Sequence, residues 1–309
     1  MSLNQNFAIG LAVWGYKPWV GDLFPAKTRA QNFLNCYANR FSIVEGNTTF
    51  YSIPSPETVD RWRLQTKPGF QFFPKLPKTL THQGRLMPYL PQAFQFLNLM
   101  QGLGDRLGGL FLQLPPSYGP ENFADLNLFL SSWRSATRVP LFLEVRHLQW
   151  FDIHHANRLN QRLTEHAIDR VLLDTRPVYN IRVNASTNTN HYADDNPQQY
   201  SANKKPNVPI QPIVTSNTAF VRYISHPDRD RNTEYLNEWV EQVRVWLHNG
   251  KTVYFFVHCP LEENSPQNAR YFQELLERAN IPVPPLPWNS LLKNTLPIED
   301  LTQLGLFEP

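Results

Sequence analysis

Leu141-Phe142-Leu143-Glu144-Val145-Arg146 begins as an apolar run and ends on a carboxylate and a guanidinium. If it is a strand, side chains alternate between its faces, so Glu144 and Arg146 share the side of Phe142. A strand covered on both faces needs no charge at its carboxyl end unless that end opens onto something polar. Seven more runs have the same character: Ile9–Trp14, Ile43–Asn47, Phe70–Lys75, Leu110–Gln113, Val171–Asp174, Phe220–Ile224 and Val253–His258. Polar or charged residues recur at or near their carboxyl ends.

Segments with helical spacing lie between the runs, at residues 27–40, 57–66, 89–103, 121–136, 153–166, 233–249 and 266–279. Ser55-Pro56 supplies an N-cap and a first-turn proline for the second of them. Alternating strands and helices predict a parallel sheet with right-handed crossovers. An open doubly wound sheet would show the same alternation. A count of eight, with polar ends spread over nearly every strand and not gathered at one switch point, favours an α/β fold, a (β/α)8 TIM barrel with a working mouth. The expected organisation is one domain over residues 1–309. It carries a polar insertion after the sixth strand, about 177–218, and a proline- and leucine-rich tail, about 282–309.

Composition narrows the function classes. Hydrophobic residues make up 41% of the 309, enough for a substantial core, and the net charge of +3 is dispersed. The absence of a basic run argues against a nucleic-acid partner. No apolar run is long enough to span a membrane. Cys36 and Cys259 stand far apart, without metal-ligand spacing, which fits a reducing cytoplasm. Oligomeric state is not legible from the sequence.

Alternation gathers the chemistry at the strand ends. Glu45 and Asn47 share a face with Ile43, Lys75 with Phe73, and Arg222 with Phe220 and Ile224. The mouth should therefore collect Glu45, Lys75, Glu144 and Asp174 as catalytic candidates. Trp14, Asn47, Tyr51, His82, Gln113, Arg146, Arg222 and His258 are the candidates for binding substrate. A structural ion-pair network closing the barrel top is one reading of these charges; burying them only to hold a fold is rarely favourable, which favours a ligand. Arg146 and Arg222 offer forks suited to a carboxylate or phosphate, and Lys75 could serve as a base or Schiff-base nucleophile. A small anionic or polyhydroxylated molecule is the expected partner, turned over without a metal or other cofactor. Glu45, Glu144, Asp174 and His258 could instead hold a metal, but three cations among them argue otherwise. A non-catalytic anion sensor is the main rival reading, and nucleic-acid processing a weaker one.

Taken together, Gly10–Trp14-Gly-Tyr16, Trp19-Val-Gly21, Val44-Glu45-Gly-Asn47-Thr-Thr49-Phe50-Tyr51, Thr81-His82, Glu144-Val-Arg146 with Trp150, and Asp174 resemble the domain of unknown function 72 family, also called YecE-like. The resemblance runs from about residue 8 to 280. It implies a TIM barrel and no established activity. The family's characteristic polar residues would fall on Glu45, Asn47, Lys75, His82, Glu144, Arg146, Asp174 and Arg222. Two stretches depart from the family pattern: Arg222-Tyr-Ile-Ser-His226-Pro227 after the seventh strand, and Phe256-Val257-His258-Cys259 at the end of the eighth.

Overall fold

The computed structural model describes residues 6–179 and 206–286. Eight parallel strands run β1 (Phe7–Leu11), β2 (Ile43–Gly46), β3 (Gln71–Pro74), β4 (Leu110–Gln113), β5 (Leu141–Glu144), β6 (Asp169–Asp174), β7 (Thr218–Ile224) and β8 (Thr252–His258). Their spatial order is β3-β2-β1-β8-β7-β6-β5-β4. The two ends of that order meet through backbone bonds from Gly108 N to Phe72 O and from Leu76 N to Phe111 O, both 2.9 Å, which close the sheet into a barrel.

The main helices are α1 (Phe33–Ala38), α2 (Thr48–Tyr51), α3 (Pro56–Leu64), α4 (Lys78–Thr81), α5 (Leu90–Met100), α6 (Phe123–Ala136), α7 (Ile153–Glu165), α8 (Arg176–Tyr179), α9 (Thr233–His248) and α10 (Ser265–Arg278), of which α2, α4 and α8 are single turns outside the expected intervals. Ser55 caps α3 by accepting from Thr58 N, with Pro56 in the first turn. The helix expected over 27–40 is shorter, because a 3-10 turn at Ala30–Asn32 precedes α1 and Lys27 takes a left-handed conformation, φ 65°.

Strand alternation divides the core in two. Ile43, Phe73, Phe111, Phe142, Val171, Phe220 and Phe256 point inward and fill the barrel. Phe220 is the centre of this layer, its ring 4.6 Å from Phe142 and 4.7 Å from Phe256. Alternate residues such as Leu11, Val44, Phe72, Leu112, Leu143 and Leu172 face the helices in a second, larger core. At Gly10, a Cβ would sit 2.2 Å from the carbonyl oxygen of Ile43, so the approach of β1 to β2 requires a glycine.

β1 begins two residues earlier than the run Ile9–Trp14 and ends at Leu11. Beyond it the chain turns out of the barrel, and Trp14 packs edge-on against Trp62 of α3 and Phe72. The expected insertion is in part built onto the barrel. Val208 is buried, and Thr215 accepts from Arg170 N while donating to Ile168 O. The rest of the insertion, 180–205, and the tail beyond 286 lie outside the described residues.

Candidate active site at the barrel mouth

The inward-facing alternation that stacks phenylalanines through the barrel continues at its carboxyl end with polar groups. Glu45 lies two residues after Ile43, Lys75 after Phe73, Gln113 after Phe111, Glu144 after Phe142, Arg222 after Phe220 and His258 after Phe256. They form a closed ring of contacts. Arg222 grips Glu45 with Nε to Oε2 at 2.7 Å and Nη2 to Oε1 at 3.0 Å, and reaches Glu144 Oε2 with Nη1. Glu144 Oε1 accepts from Arg146 Nε at 2.6 Å. Arg146 Nη2 donates to Gln113 Oε1 at 2.8 Å, and the same oxygen accepts from Lys75 Nζ at 3.0 Å. Lys75 completes the circuit on Glu45 Oε1 at 2.7 Å. His258 Nε2 joins it at Glu45 Oε2, 2.9 Å away.

The ring is buried, apart from an edge of Arg146, whose side chain is 14% exposed. Nη1 of Arg146 has no partner among the described residues. Burial by itself would raise the carboxyl pKa of Glu45, but Arg222, followed by Lys75 and His258, holds it well below the usual range. Glu144 is brought to about 2 against burial, chiefly by Arg146 and Arg222. Both therefore stay ionised. Burial, and after it the charge of Arg222, drives Lys75 down to about 7, with Glu45 and Glu144 pulling the other way. Leaving His258 aside, two carboxylates, two guanidiniums and one amine sum to zero with Lys75 unprotonated and to one positive charge with it protonated.

The loops that follow β2 and β3 frame this ring. Asn47 Nδ2 ties the β2 end to Ala12 O at 3.0 Å, and Thr49 Oγ1 holds the carbonyl of Lys75 at 2.7 Å. The rings of Phe111 and Phe50 lie 4.7 and 5.9 Å from Lys75 Nζ. His82, just past α4, stacks edge-on against Phe50 and pairs Nδ1 with Thr81 Oγ1 at 2.8 Å. Burial, then the charges of Arg146, Lys78 and Lys75, lowers its pKa to about 4, so it is a neutral imidazole at physiological pH. Phe111, Phe50 and Thr49 were not among the site candidates. Phe111 is legible by its alternation with Gln113, whereas the placing of Thr49 depends on the α2 turn.

Three sequence candidates lie apart from both the ring and the loops that frame it. Asp174 points out of the barrel, because β6 turns Val171 and Leu173 inward and so directs Asp174 to the helices. There it accepts from Arg176 at Nε and Nη2 and from Trp239 Nε1 of α9 at 2.8 Å. Trp14 belongs to the outer core. Tyr51 is 81% exposed and rests edge-on against Phe50, away from the charged ring. His226 is a turn residue whose Nδ1 accepts from Asp228 N. Asp174→Asn should therefore lower stability by about 1–3 kcal/mol, the cost of weakening buried bonds to Trp239 and Arg176. Ligand affinity at the mouth should stay within twofold of the parent, which titration of the folded variant checks. A tenfold loss would return Asp174 to the site.

Among the described residues no group of three or more His, Cys, Asp or Glu side chains is arranged to hold a metal ion, and no helix is long and apolar enough to cross a membrane. Comparison with known proteins agrees with the fold. The chain is 33% identical over 289 residues to the UPF0759 protein YecE of Escherichia coli K12, covering 92% of this chain and 98% of that one. It is 29% identical over 153 residues to UPF0759 protein YunF of Bacillus subtilis, about half of either chain. A crystal structure of a DUF72 family protein from Enterococcus faecalis superposes with a TM-score of 0.64 at 18% identity, covering 88% of this chain and 95% of the other. One from Thermotoga maritima gives 0.61 at 20% identity, covering 88% and 99%. The family model for the protein of unknown function DUF72 matches residues 8–291, and this chain, a TIM barrel with its charges gathered at the carboxyl ends of the strands, belongs to that family.

Proposed function

We propose that the protein is a metal-independent enzyme that binds a small anionic or polyhydroxylated molecule at the barrel mouth and uses Lys75 to exchange protons with it. One observation supports this most: the Lys75 amine lies buried 2.7 Å from Glu45 within a ring of two guanidiniums and two carboxylates, where burial pushes it down to about 7 and its protonation gives those five groups one excess positive charge. A bound anion would balance that excess. Groups that titrate near the operating pH are suited to acid–base work.

The roles divide differently from what residue types alone suggest. Arg222 has its whole fork engaged by Glu45 and Glu144, so it sets the charge of the site and does not grip the ligand. Arg146, with an open Nη1, takes the anion. Glu45 and Glu144 are locked as carboxylates and orient their cationic partners, which also leaves their oxygens poorly placed to ligate a metal. His82, as a neutral imidazole, and Asn47 flank the entrance.

A melting-temperature panel of small carboxylates, phosphates and sugar acids tests the reading, since a ligand held only by the folded state raises the melting point. At least one anion should stabilise the protein, and Arg146→Gln should weaken it by about 10- to 100-fold, the worth of a charge-assisted bond. No shift from any member, or equal binding in the variant, would contradict it. Turnover of the bound compound separates an enzyme from a sensor.

A further inference from the structure

We propose that Gln113 makes the barrel mouth selective for an oxyanion, a carboxylate or phosphate whose oxygens bridge Gln113 Nε2 and Arg146 Nη1. This rests on the proposed anion site and names the chemical group that the site reads.

The first ground is the fixed orientation of the Gln113 carboxamide. Its Oε1 accepts from Lys75 Nζ at 3.0 Å and from Arg146 Nη2 at 2.8 Å. Turning the amide over would set its NH2 against the Arg146 guanidinium, a group that can only donate. The neighbours therefore hold the oxygen on the ring and direct Nε2 away from it. Gln113 is 5% exposed, and neither hydrogen of Nε2 has an acceptor among the described residues. Nε2 is nevertheless not one of the sealed polar atoms that lack a partner, so it keeps contact with solvent. Polar groups set this deep are normally hydrogen-bonded, and two unused donors mark a contact that a ligand supplies.

The second ground is another open donor tied to the first. Arg146 Nη1 also lacks a partner among the described residues, and the Arg146 side chain is 14% exposed. The 2.8 Å bond from Nη2 to Oε1 joins the two groups. One guanidinium N–N span and one amide O–N span, about 2.3 Å each, flank that bond, so Nη1 and Nε2 are no more than about 7.5 Å apart. Neighbouring oxygens of one carboxylate or phosphate, each accepting a bond of about 2.8 Å, reach across such a distance.

The third ground is charge. Glu45 and Glu144 are fully buried, and each of their oxygens is already engaged by Arg222, Lys75, Arg146 or His258. The carboxylates thus stand behind the cations, and the side on which Arg146 meets solvent offers N–H groups. His82 lies near it as a neutral imidazole, and after burial Arg146 is the charge that lowers its pKa most. A polyol would accept from the two donors but leave the guanidinium unbalanced. An oxyanion does both.

Calorimetric titration of the full-length protein tests this, with sodium phosphate, sodium acetate, sodium bromide and erythritol as probes. Gln113→Glu keeps an oxygen for Lys75 and Arg146 and exchanges only the NH2 for a second oxygen. Gln113→Met removes the donor without adding charge, and Arg146→Gln removes the guanidinium. Phosphate or acetate should bind the parent more tightly than bromide or erythritol, and which of the two binds tells phosphate from carboxylate. That oxyanion should bind at least tenfold more weakly to Gln113→Met and at least a hundredfold more weakly to Gln113→Glu. The melting temperature of Gln113→Glu should stay at or above that of the parent, an outcome that a merely structural glutamine would not give. If Gln113→Met binds the oxyanion as tightly as the parent and Arg146→Gln does not, the role of Gln113 is refuted while the anion site stands. Bromide or erythritol binding as tightly as either oxyanion has the same meaning. Should Gln113→Met not fold, a folded Gln113→Glu with parental affinity overturns the proposal on its own. If neither oxyanion binds the parent, both readings fail.

Discussion

Arg222→Leu should unfold with about 3–5 kcal/mol less stability than the parent at pH 7, a drop in melting temperature on the order of 10 °C. The loss arises from what the guanidinium leaves behind. Glu45 and Glu144 are both fully buried, and Arg222 is the cation that bridges them. Without it, two carboxylates face each other in a space that water does not reach. Glu45 keeps Lys75 and His258, and Glu144 keeps Arg146, so the barrel should still fold, at a cost.

The pH dependence of that loss has a definite sign. In the parent both carboxyls titrate below their ordinary 4.5, Glu144 at about 2. Their stabilisation is complete above about pH 4.5 and is lost as the pH falls through the folded-state values. Removing Arg222 raises both, so the variant's deficit should be largest above pH 4.5 and should narrow on acidification. Urea denaturation of parent and variant between pH 7 and 4 measures this. A deficit that is absent, or constant across the range, would mean that the ring is not electrostatically coupled.

Lys75→Met should behave in the opposite way, with function abolished and stability retained. Every acceptor that Lys75 uses has another donor: Glu45 has Arg222, and Gln113 has Arg146. The substitution therefore orphans no buried group and removes the charge the ring cannot balance. With a folded pKa of about 7 against 10.5, the unfolded parent binds more protons between those values, so parent stability rises with pH across that window. The variant's advantage should be on the order of 2 kcal/mol near pH 6 and should fade toward pH 10. Any turnover that exchanges protons through Lys75 should fall by roughly two orders of magnitude or more. Destabilisation at every pH would identify Lys75 as a structural member of the ring and nothing more.

Much of the ring was legible because alternation carries phase. Phe73, Phe111, Phe142, Phe220 and Phe256 line the barrel, and two residues on from each stands Lys75, Gln113, Glu144, Arg222 or His258. Asp174 shows where the method fails. Val171-Leu172-Leu173-Asp174 is apolar on both faces, as strands covered on both sides are, and such a run has no phase to read. Its polar end suggested the mouth, whereas the inward residues are Val171 and Leu173, and the aspartate instead anchors Trp239 and Arg176. Trp14 was misplaced because nothing in Ala12-Val13-Trp14 marks the point where the chain leaves the barrel. Tyr51 ends a helical turn too short to announce itself.

Residue types were also silent on which cations are open. Arg146 and Arg222 look alike in sequence, each two residues after an inward phenylalanine or glutamate. Only the structure shows one fork closed on two carboxylates and the other with a nitrogen that has no partner among the described residues. That difference is the basis of the proposed division, with charge tuning at Arg222 and ligand contact at Arg146.

The central claim is that this ring keeps a lysine amine largely unprotonated just above neutral pH. Titrating the side-chain nitrogens of 15N-lysine-labelled protein by NMR, with Lys75 assigned from its absence in Lys75→Met, reads that property directly. A midpoint close to 7 is the predicted result, and one near the ordinary 10.5 would contradict the account.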